Sequence, residues 1–446
     1  MNHPQMAENR REPQVSPEAW WTLAVLCLFY VLSYLDRYLL TMLVDPIQKD
    51  LGIGDFEMGL VLGPAFGIAL GVAALPFGWM VDRSPRRKVL FFGVAFWSFA
   101  TAATGFARST LGLGLARLGV GAGEAALGPA AASLLADKFP RRRLTTALAI
   151  FQASNKLGSA TAFGVGGLLI GMLGGAALSI PLIGSVRPWQ IAFFCVGTPG
   201  ILAAFLVYTF SEPVRRGRKS TEPPRPGALL AFLKEHRTLM LLIYGGFTLI
   251  ALCGYSLVAW VPTFVSRRYG LEPQVYGPLL SVVSIVAAGA LVIKGTIVDW
   301  LYARGHKDAN ILFYSWIVFG STPLAVIAFF VPGPWIFFGI YGVLLAVSIP
   351  SMLYLAASLA TLAPNELRGQ LTALAYALHG ILGLGLGPTI VGAITDFGFQ
   401  DPNKIGWSLA LVCGVGMPAG AILLRFAMKP MRIAVGEVEA IEQARG

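Results

Sequence analysis

Polar residues interrupt this chain only briefly between residues 20 and 428. What they separate are long, unbroken apolar runs, twelve in all, at 20–44, 56–80, 89–107, 110–136, 145–171, 188–210, 238–266, 276–303, 311–331, 334–361, 368–395 and 405–428. A helix of about twenty apolar residues crosses the hydrocarbon core of a bilayer. Spanning strands would instead read as segments of about ten residues that alternate in polarity, and these runs are longer and continuous. The pattern predicts an all-α membrane protein with twelve transmembrane helices. The longest polar interruption, Ser211 to about His236, separates six spans from six. Within it, the stretch Gly227 to Arg237 has the composition of a short amphipathic helix lying at a membrane surface.

Composition agrees with this and charge adds an orientation. With 56% hydrophobic residues, 13% charged residues and a mean hydropathy of +0.68, the chain is too apolar for a soluble protein. Its net charge of +11 is not a nucleic-acid footprint, because 24 of the 34 Lys and Arg fall on one side of the predicted topology and 6 in the loops of the other. Basic loops stay in the cytoplasm, so both termini are expected there. The expected organisation is a cytoplasmic N-tail at 1–18, a six-helix bundle at 19–210, a cytoplasmic central loop at 211–237, a second six-helix bundle at 238–428 and a cytoplasmic C-tail at 429–446. The central loop carries Arg215, Arg216, Arg218 and Lys219, suited to anionic headgroups. The polar N-terminus has no apolar signal-peptide core, and no Asn-x-Ser/Thr acceptor occurs. With the short loops, this favours a bacterial inner membrane. All four cysteines lie within predicted spans and read as small buried hydrophobes, not a disulfide framework.

The two halves echo one another. Gly78-Trp-Met-Val-Asp82-Arg83-Ser-Pro85-Arg86-Arg87-Lys88 follows span 2, and Gly295-Thr-Ile-Val-Asp299-Trp300 with Arg304 and Lys307 closes span 8. A second echo follows spans 4 and 10, where Pro140, Arg143, Thr146 and Ala147 correspond to Pro364, Arg368, Thr372 and Ala373. Two landmarks in equivalent places point to a duplicated transporter scaffold.

On these residues the chain resembles the major facilitator superfamily over nearly its whole length. Within it, Ser33-Tyr34-Leu-Asp36-Arg37 in span 1 and Arg117-Leu-Gly-Val-Gly121-Ala-Gly123-Glu124-Ala-Ala-Leu-Gly128-Pro129 in span 4 are similar to the Spinster family. Members of that family export sphingosine-phosphate-like and lysophospholipid-like amphiphiles. The resemblance implies two pseudo-symmetric bundles that work by alternating access on an amphiphilic lipid, as a monomer. It also implies a cytoplasmic latch made by Asp82, Arg83 and Arg86 or Arg87, with Asp299 in the second copy. Pro85 stands where the family usually has Gly, so the turn is altered while the charges remain. Gly78 permits close helix approach, and Asp82, at the end of span 2, can pair with basic groups and helix termini.

Charge at membrane depth is expensive, so Asp36, Arg37, Arg117, Glu124, Lys156, Lys294 and His379 are the candidates for chemistry. Counted at 1.5 Å per residue from the cytoplasmic ends, Asp36 lies about 24 Å deep, Glu124 about 18 Å and Arg117 about 28 Å. Arg117 and Glu124, seven apart, share a face. In the resembled fold spans 1 and 4 line a central cavity, which puts Arg37 within reach of either Glu124 or Asp36. Asp36 and Glu124 are then the expected proton-responsive pair, Arg37 their switching partner and Arg117 an organiser of the same half. A permanently paired cluster that only ties spans 1 and 4 together remains the competing arrangement. Lys156, beside Asn155, suits either an anionic headgroup or a local carbonyl, and Lys294 is placed to snorkel. His379 has the chemistry to titrate near neutrality, although a lone mid-helix His often only packs.

Tyr30, Tyr34 and Tyr38 recur every four residues, and Phe151, Tyr255, Trp260, Tyr354 and Tyr376 are further aromatic candidates. With Asn155, Lys156 and His379, Tyr34 and Tyr38 make up the expected substrate cavity, although such stripes also serve as packing. Glycines at 119, 121, 123, 128, 158, 164, 166 and 167 suggest close helix contacts in spans 4 and 5. No phosphate-binding Gly-Lys loop, metal-ligand cluster or nucleophile elbow is present. A pump driven by ATP and a hydrolase are thereby disfavoured, and neither cofactor nor metal is expected. A proton-linked lipid carrier is the leading expectation; a carrier of soluble organic anions or drugs is the alternative.

Overall fold

The computed structural model describes residues 15–173, 178–180, 184–214, 227–348, 351–362 and 365–445. The basic cluster at 215–219 and most of the predicted N-tail lie outside them.

Among the described residues, eleven helices are long and apolar enough to cross a membrane: Pro17–Met42, Asp55–Arg83, Thr110–Lys138, Thr146–Leu173, Pro188–Thr209, Arg237–Tyr269, Pro273–Ala303, Ala309–Phe330, Pro334–Leu362, Leu367–Phe399 and Pro402–Gly436. They correspond to predicted spans 1, 2 and 4 to 12. Span 3 is Arg86–Thr104, whose 19 residues reach roughly 28 Å at 1.5 Å per residue. Its first turn, Arg86, Arg87 and Lys88, lowers its hydropathy and suits the headgroup layer.

The elements start and stop for local reasons. Ser16 caps span 1, accepting a hydrogen bond from the Ala19 N–H at 3.2 Å, and Pro17 occupies the first helical position. Span 2 breaks at Gly63 because Pro64 has no N–H to continue the ladder. Span 11, with four glycines from Gly380 to Gly387, loosens into a π-helical turn at His379–Gly385. The predicted linker helix is present as Ala228–Glu235. Two features differ from the expectation. The last helix runs on to Arg445, across the boundary placed at 428. A two-stranded antiparallel ribbon, Leu178–Ile180 with Gly184–Val186, lies between spans 5 and 6.

Glu18 at the start of span 1 accepts hydrogen bonds from Lys138 at the end of span 4 (2.8 Å) and from the Ser211 hydroxyl after span 6 (2.6 Å). Odd-numbered spans therefore begin, and even-numbered spans finish, at one end of the bundle, called here the terminal end.

At the opposite, far end the two halves are in close contact. Gly59, Gly63, Gly67 and Gly71 form one stripe of span 2. A methyl group on Gly59 would approach the Pro388 carbonyl oxygen to 2.8 Å and one on Gly67 the Gly380 oxygen to 2.6 Å, while Gly63 sits against the Gly385 oxygen. Spans 5 and 8 meet in the same way, Gly167 against Pro273 and Gly277 against Phe163. Bare backbones interlock in this way only where side chains are missing. Of the glycines predicted to make close contacts, Gly119, Gly121, Gly123, Gly158 and Gly167 do so, against Ala100, Phe66, Trp97, Tyr34 and Pro273; Gly128 faces open space. At the terminal end, Gly78 and Gly295 both have open space around them and Asp82 and Asp299 are exposed. The bundle is sealed at the far end.

Gly63→Leu should therefore disfavour this state. Overpacking costs about 1–3 kcal/mol, enough to shift a two-state population roughly ten- to a hundred-fold. Modification of Cys introduced at Thr389 in a cysteine-free background, using a membrane-impermeant thiol reagent, should rise accordingly. Unchanged labelling would mean the seam is not the closure.

Candidate functional site

Between the halves lies a cavity with about 1240 Å³ of empty space, part of it open to solvent. All five residues predicted to form it, Tyr34, Tyr38, Asn155, Lys156 and His379, line its wall, and so do Arg37 and Arg117. The two sides differ in chemistry. Spans 1, 4 and 5 contribute the three cations, Asn155, Tyr34 and Tyr38. Spans 7 and 10 contribute Ile250, Ala251, Val258, Ala259, Leu345 and Met352, relieved by Tyr255, Tyr341 and Ser351.

The charged cluster follows from helix geometry. Arg37 Nη2 donates to Glu124 Oε2 at 2.6 Å, joining span 1 to span 4. Asp36 is adjacent in sequence but about 100° further round the helix, and it accepts instead from Thr101 Oγ1 of span 3 at 2.8 Å. Of the two partners open to Arg37, the structure selects Glu124. The Arg37 guanidinium lies 4.8 Å from the Tyr34 ring centre and 4.5 Å from that of Phe66, and Arg117 lies 5.2 Å from the same Phe66 ring. Phe66 thus sits in cation–π range of both arginines. Asp36, Arg117 and Glu124 are all buried. Glu124 Oε1, Arg37 Nε and Arg117 Nε have no hydrogen-bond partner among the described residues, so the cluster is not closed upon itself.

Several expectations need adjustment. Asp36 and Glu124 lie behind the cavity wall, not among its lining residues. Lys294 does not snorkel: at 5% exposure it is buried, because its face of span 8 turns inward. Trp260 is buried, donating to the Pro388 carbonyl at 2.9 Å, and Tyr354 stacks on Tyr314 at 4.5 Å, so both back the wall; only Tyr255 of the further aromatics lines it. Tyr30 and Phe151 stack at 4.8 Å. His379 is held by Ser351, its Nε2 lying 3.2 Å from the hydroxyl.

The motif that begins at Gly78, at the terminal end, makes its contacts with the first half and the chain that leaves it. Buried Arg86 bonds Asp137 of span 4, Glu212 at 2.8 Å, the Ser133 hydroxyl at 3.1 Å and the Pro213 carbonyl at 2.8 Å. Arg87 donates to the Val207 carbonyl at 2.8 Å, and Arg83 stacks on Trp79 at 4.5 Å. Arg86 is thus a staple between spans 3 and 4 and the chain leaving span 6.

Sequence reasoning missed a second charged site, at the far end. Arg267 donates to Asp45 (2.8 Å), to both oxygens of Asp55 (2.8 Å each), to Gln48 (2.8 Å) and to the Pro402 carbonyl (2.9 Å). Asp396 accepts from the Phe56 N–H at 2.7 Å beside it. The usable signal was a basic residue at the end of span 7 facing acids around the span 1–2 connection, on the side where Lys and Arg are few.

Residues 26–388 match the model of the Major Facilitator Superfamily. The chain belongs to that superfamily. It is accordingly a multi-pass membrane transporter with the twelve-helix architecture of two six-helix bundles. Over 415 residues it is 26% identical to an MFS-type efflux pump of Mycolicibacterium smegmatis, covering 91% of each chain. It is 25% identical over 266 residues to protein spinster of Drosophila melanogaster, covering 59% of this chain and 42% of that one. Among solved structures, a bacterial homologue of the human lysosomal transporter Spinster, in an inward-facing and unoccupied conformation, superposes with a TM-score of 0.75 at 21% identity. That match covers 94% of this chain and 97% of the other. In superfamily terms, the cavity sits where the two bundles meet.

Proposed function

We propose that this transporter carries an amphiphilic lipid, of lysophospholipid or sphingoid-phosphate type, by proton-linked alternating access. The observation that carries this is the two-sided cavity: three cations on one side, and opposite them a mainly apolar and aromatic side whose polar members are Ser284, Ser351 and His379. An anionic or zwitterionic head and a single acyl chain would each find a matching surface there. The likeness to Spinster proteins points the same way.

Arg37, Glu124, Asp36 and Arg117 form the coupling machinery in this proposal. Where Arg37 holds Glu124, the carboxylate keeps its counter-charge; a movement of span 1 that parts them leaves a buried acid for which a proton is the simplest compensation. Proton occupancy and conformation are then linked, each biasing the other. Asp36, fixed by Thr101, is the second acidic site. Asp82, Arg83, Arg86, Arg87, Asp299 and Gly78 would act at the terminal end when the cavity opens the other way. A monomer in a bacterial inner membrane with both termini cytoplasmic completes the proposal, resting on the charge asymmetry of the loops.

A carrier of soluble organic anions or drugs is favoured by the three cations alone. Proteoliposome flux of a labelled lysolipid against a small organic acid, with and without a pH gradient, separates the two. Lysolipid flux should rise with the gradient. Flux of the organic acid alone would displace the lipid proposal. Glu124→Gln should flatten the pH profile of lysolipid flux, while unchanged pH dependence would remove Glu124 from the coupling.

A further inference from the structure

Lys156 belongs to the first half and lines the cavity from span 5. From the second half, Ser284 and Ala287 of span 8 line the same cavity. Lys294 lies seven residues beyond Ala287, two turns on along the same helix face, and is buried at 5% exposure. Spans 5 and 8 run antiparallel in a register set at the far end, with Gly164 against Ser281, Gly167 against Gly277 and Gly171 against Gln274. Continued toward the terminal end, that register places Lys156 roughly level with residue 289. Lys294 then stands about five residues nearer the terminal end, roughly 8 Å along the axis. The two side chains are each long enough to cover much of that offset, so the register lets their ammonium groups approach one another between the halves.

Two ammonium groups held on opposite halves repel, and the repulsion grows as the halves approach. Spans 5 and 8 already touch at the far end, so closing the terminal end must bring their remaining turns together. We propose that an anionic group on the transported molecule binds between Lys156 and Lys294, and that this bridging lets the terminal end close. An empty carrier is then held open toward the terminal end by the pair itself, and the anion turns one repulsion into two attractions. This rests on the carrier role proposed above and assigns its specificity: a negative charge on the cargo is required for closure, whereas the cavity's apolar side tolerates many chains.

The test uses the full-length protein in detergent and in liposomes, with lysophosphatidate, the chain-matched monoacylglycerol, and glycerol phosphate as a chain-free anion. Wild type should bind lysophosphatidate at least tenfold more tightly than monoacylglycerol. K156Q and K294Q should each lose about tenfold of that preference, with monoacylglycerol binding unmoved, and K156R/K294R should keep it. Spin labels at the terminal ends of spans 5 and 8 should approach on adding lysophosphatidate to wild type, and without any ligand in K156Q/K294Q. Equal wild-type binding of the charged and neutral lipids would overturn the pair, and so would Gln variants that keep both the preference and the ligand-dependent closure. Lysine-dependent binding of glycerol phosphate as tight as that of lysophosphatidate would uphold the pair while refuting the lipid carrier. Absence of flux for every amphiphile would refute the carrier role, and the binding arms would still decide the pair.

Discussion

Replacing Arg37 by Met is expected to reduce gradient-driven transport at least a hundredfold and to abolish its pH dependence. Arg37 forms an ion pair with Glu124, whose side chain is only 3% exposed. Removing one member of a buried pair leaves a charge without compensation, at about 3–5 kcal/mol, which corresponds to roughly two to three powers of ten in a conformational equilibrium. The acid can escape that cost by staying protonated, but it then no longer exchanges its proton in the cycle, and coupling is lost either way. Arg37→Lys should fall between wild type and R37M. It keeps the charge but not the planar guanidinium stacked against Tyr34 and Phe66. The double variant R37M/E124Q separates function from scaffold. Thermal stability in detergent should return most of the way, because neither charge is stranded, while proton-linked flux should not return. If the double variant recovered pH-dependent flux as well, the pair would only hold spans 1 and 4 together. Full activity in R37M would remove both residues from the mechanism.

The number and order of the spans could be read from sequence because a bilayer imposes a length and a composition on every crossing segment. The repeat at Gly78 and Gly295 showed the duplication, and intramembrane charge marked the region of the cavity. The direction in which each charge points was harder to read. Asp36 and Arg37 are neighbours in sequence but serve different interfaces, because successive residues leave a helix about 100° apart; only the placement of Thr101 and Glu124 around span 1 separates them. Lys294 was misjudged for a related reason: distance from a helix end says nothing about which face is turned inward. The stripe from Gly59 to Gly71 was visible as a spacing of four, yet glycines are so common in spans 4 and 5 that spacing alone does not tell a closure seam from ordinary close contact. Arg267 was counted as one loop charge among others, since its partners Asp45, Gln48 and Asp55 lie more than two hundred residues away and meet it only through the contact of the two halves.

That far-end network should set which way the transporter faces. The five bonds of Arg267 use every N–H of its guanidinium, and they join acids of the first half to span 7 of the second and to the Pro402 carbonyl. Asp55, at 1% side-chain exposure, pays for desolvation only where Arg267 is present to compensate it. Arg267→Gln is therefore expected to destabilise the sealed far end by about 3–5 kcal/mol relative to the open one, where Asp55 regains water. A population shift of about two to three powers of ten follows, toward the state open at the far end. Spin-label distances report it directly, widening across the far end and narrowing across the terminal end. Arg267→Lys should give a smaller shift, because an ammonium cannot serve Asp45 and both oxygens of Asp55 in one plane. Asp55→Asn in the R267Q background should return part of the sealed population by removing the stranded carboxylate, an outcome that a merely misfolded R267Q would not give. Unaltered distances in R267Q would show that the glycine seam closes the far end alone. In that case the direction of facing would be set by backbone contact between spans 2 and 11, and the charges around Arg267 would follow the closure without driving it.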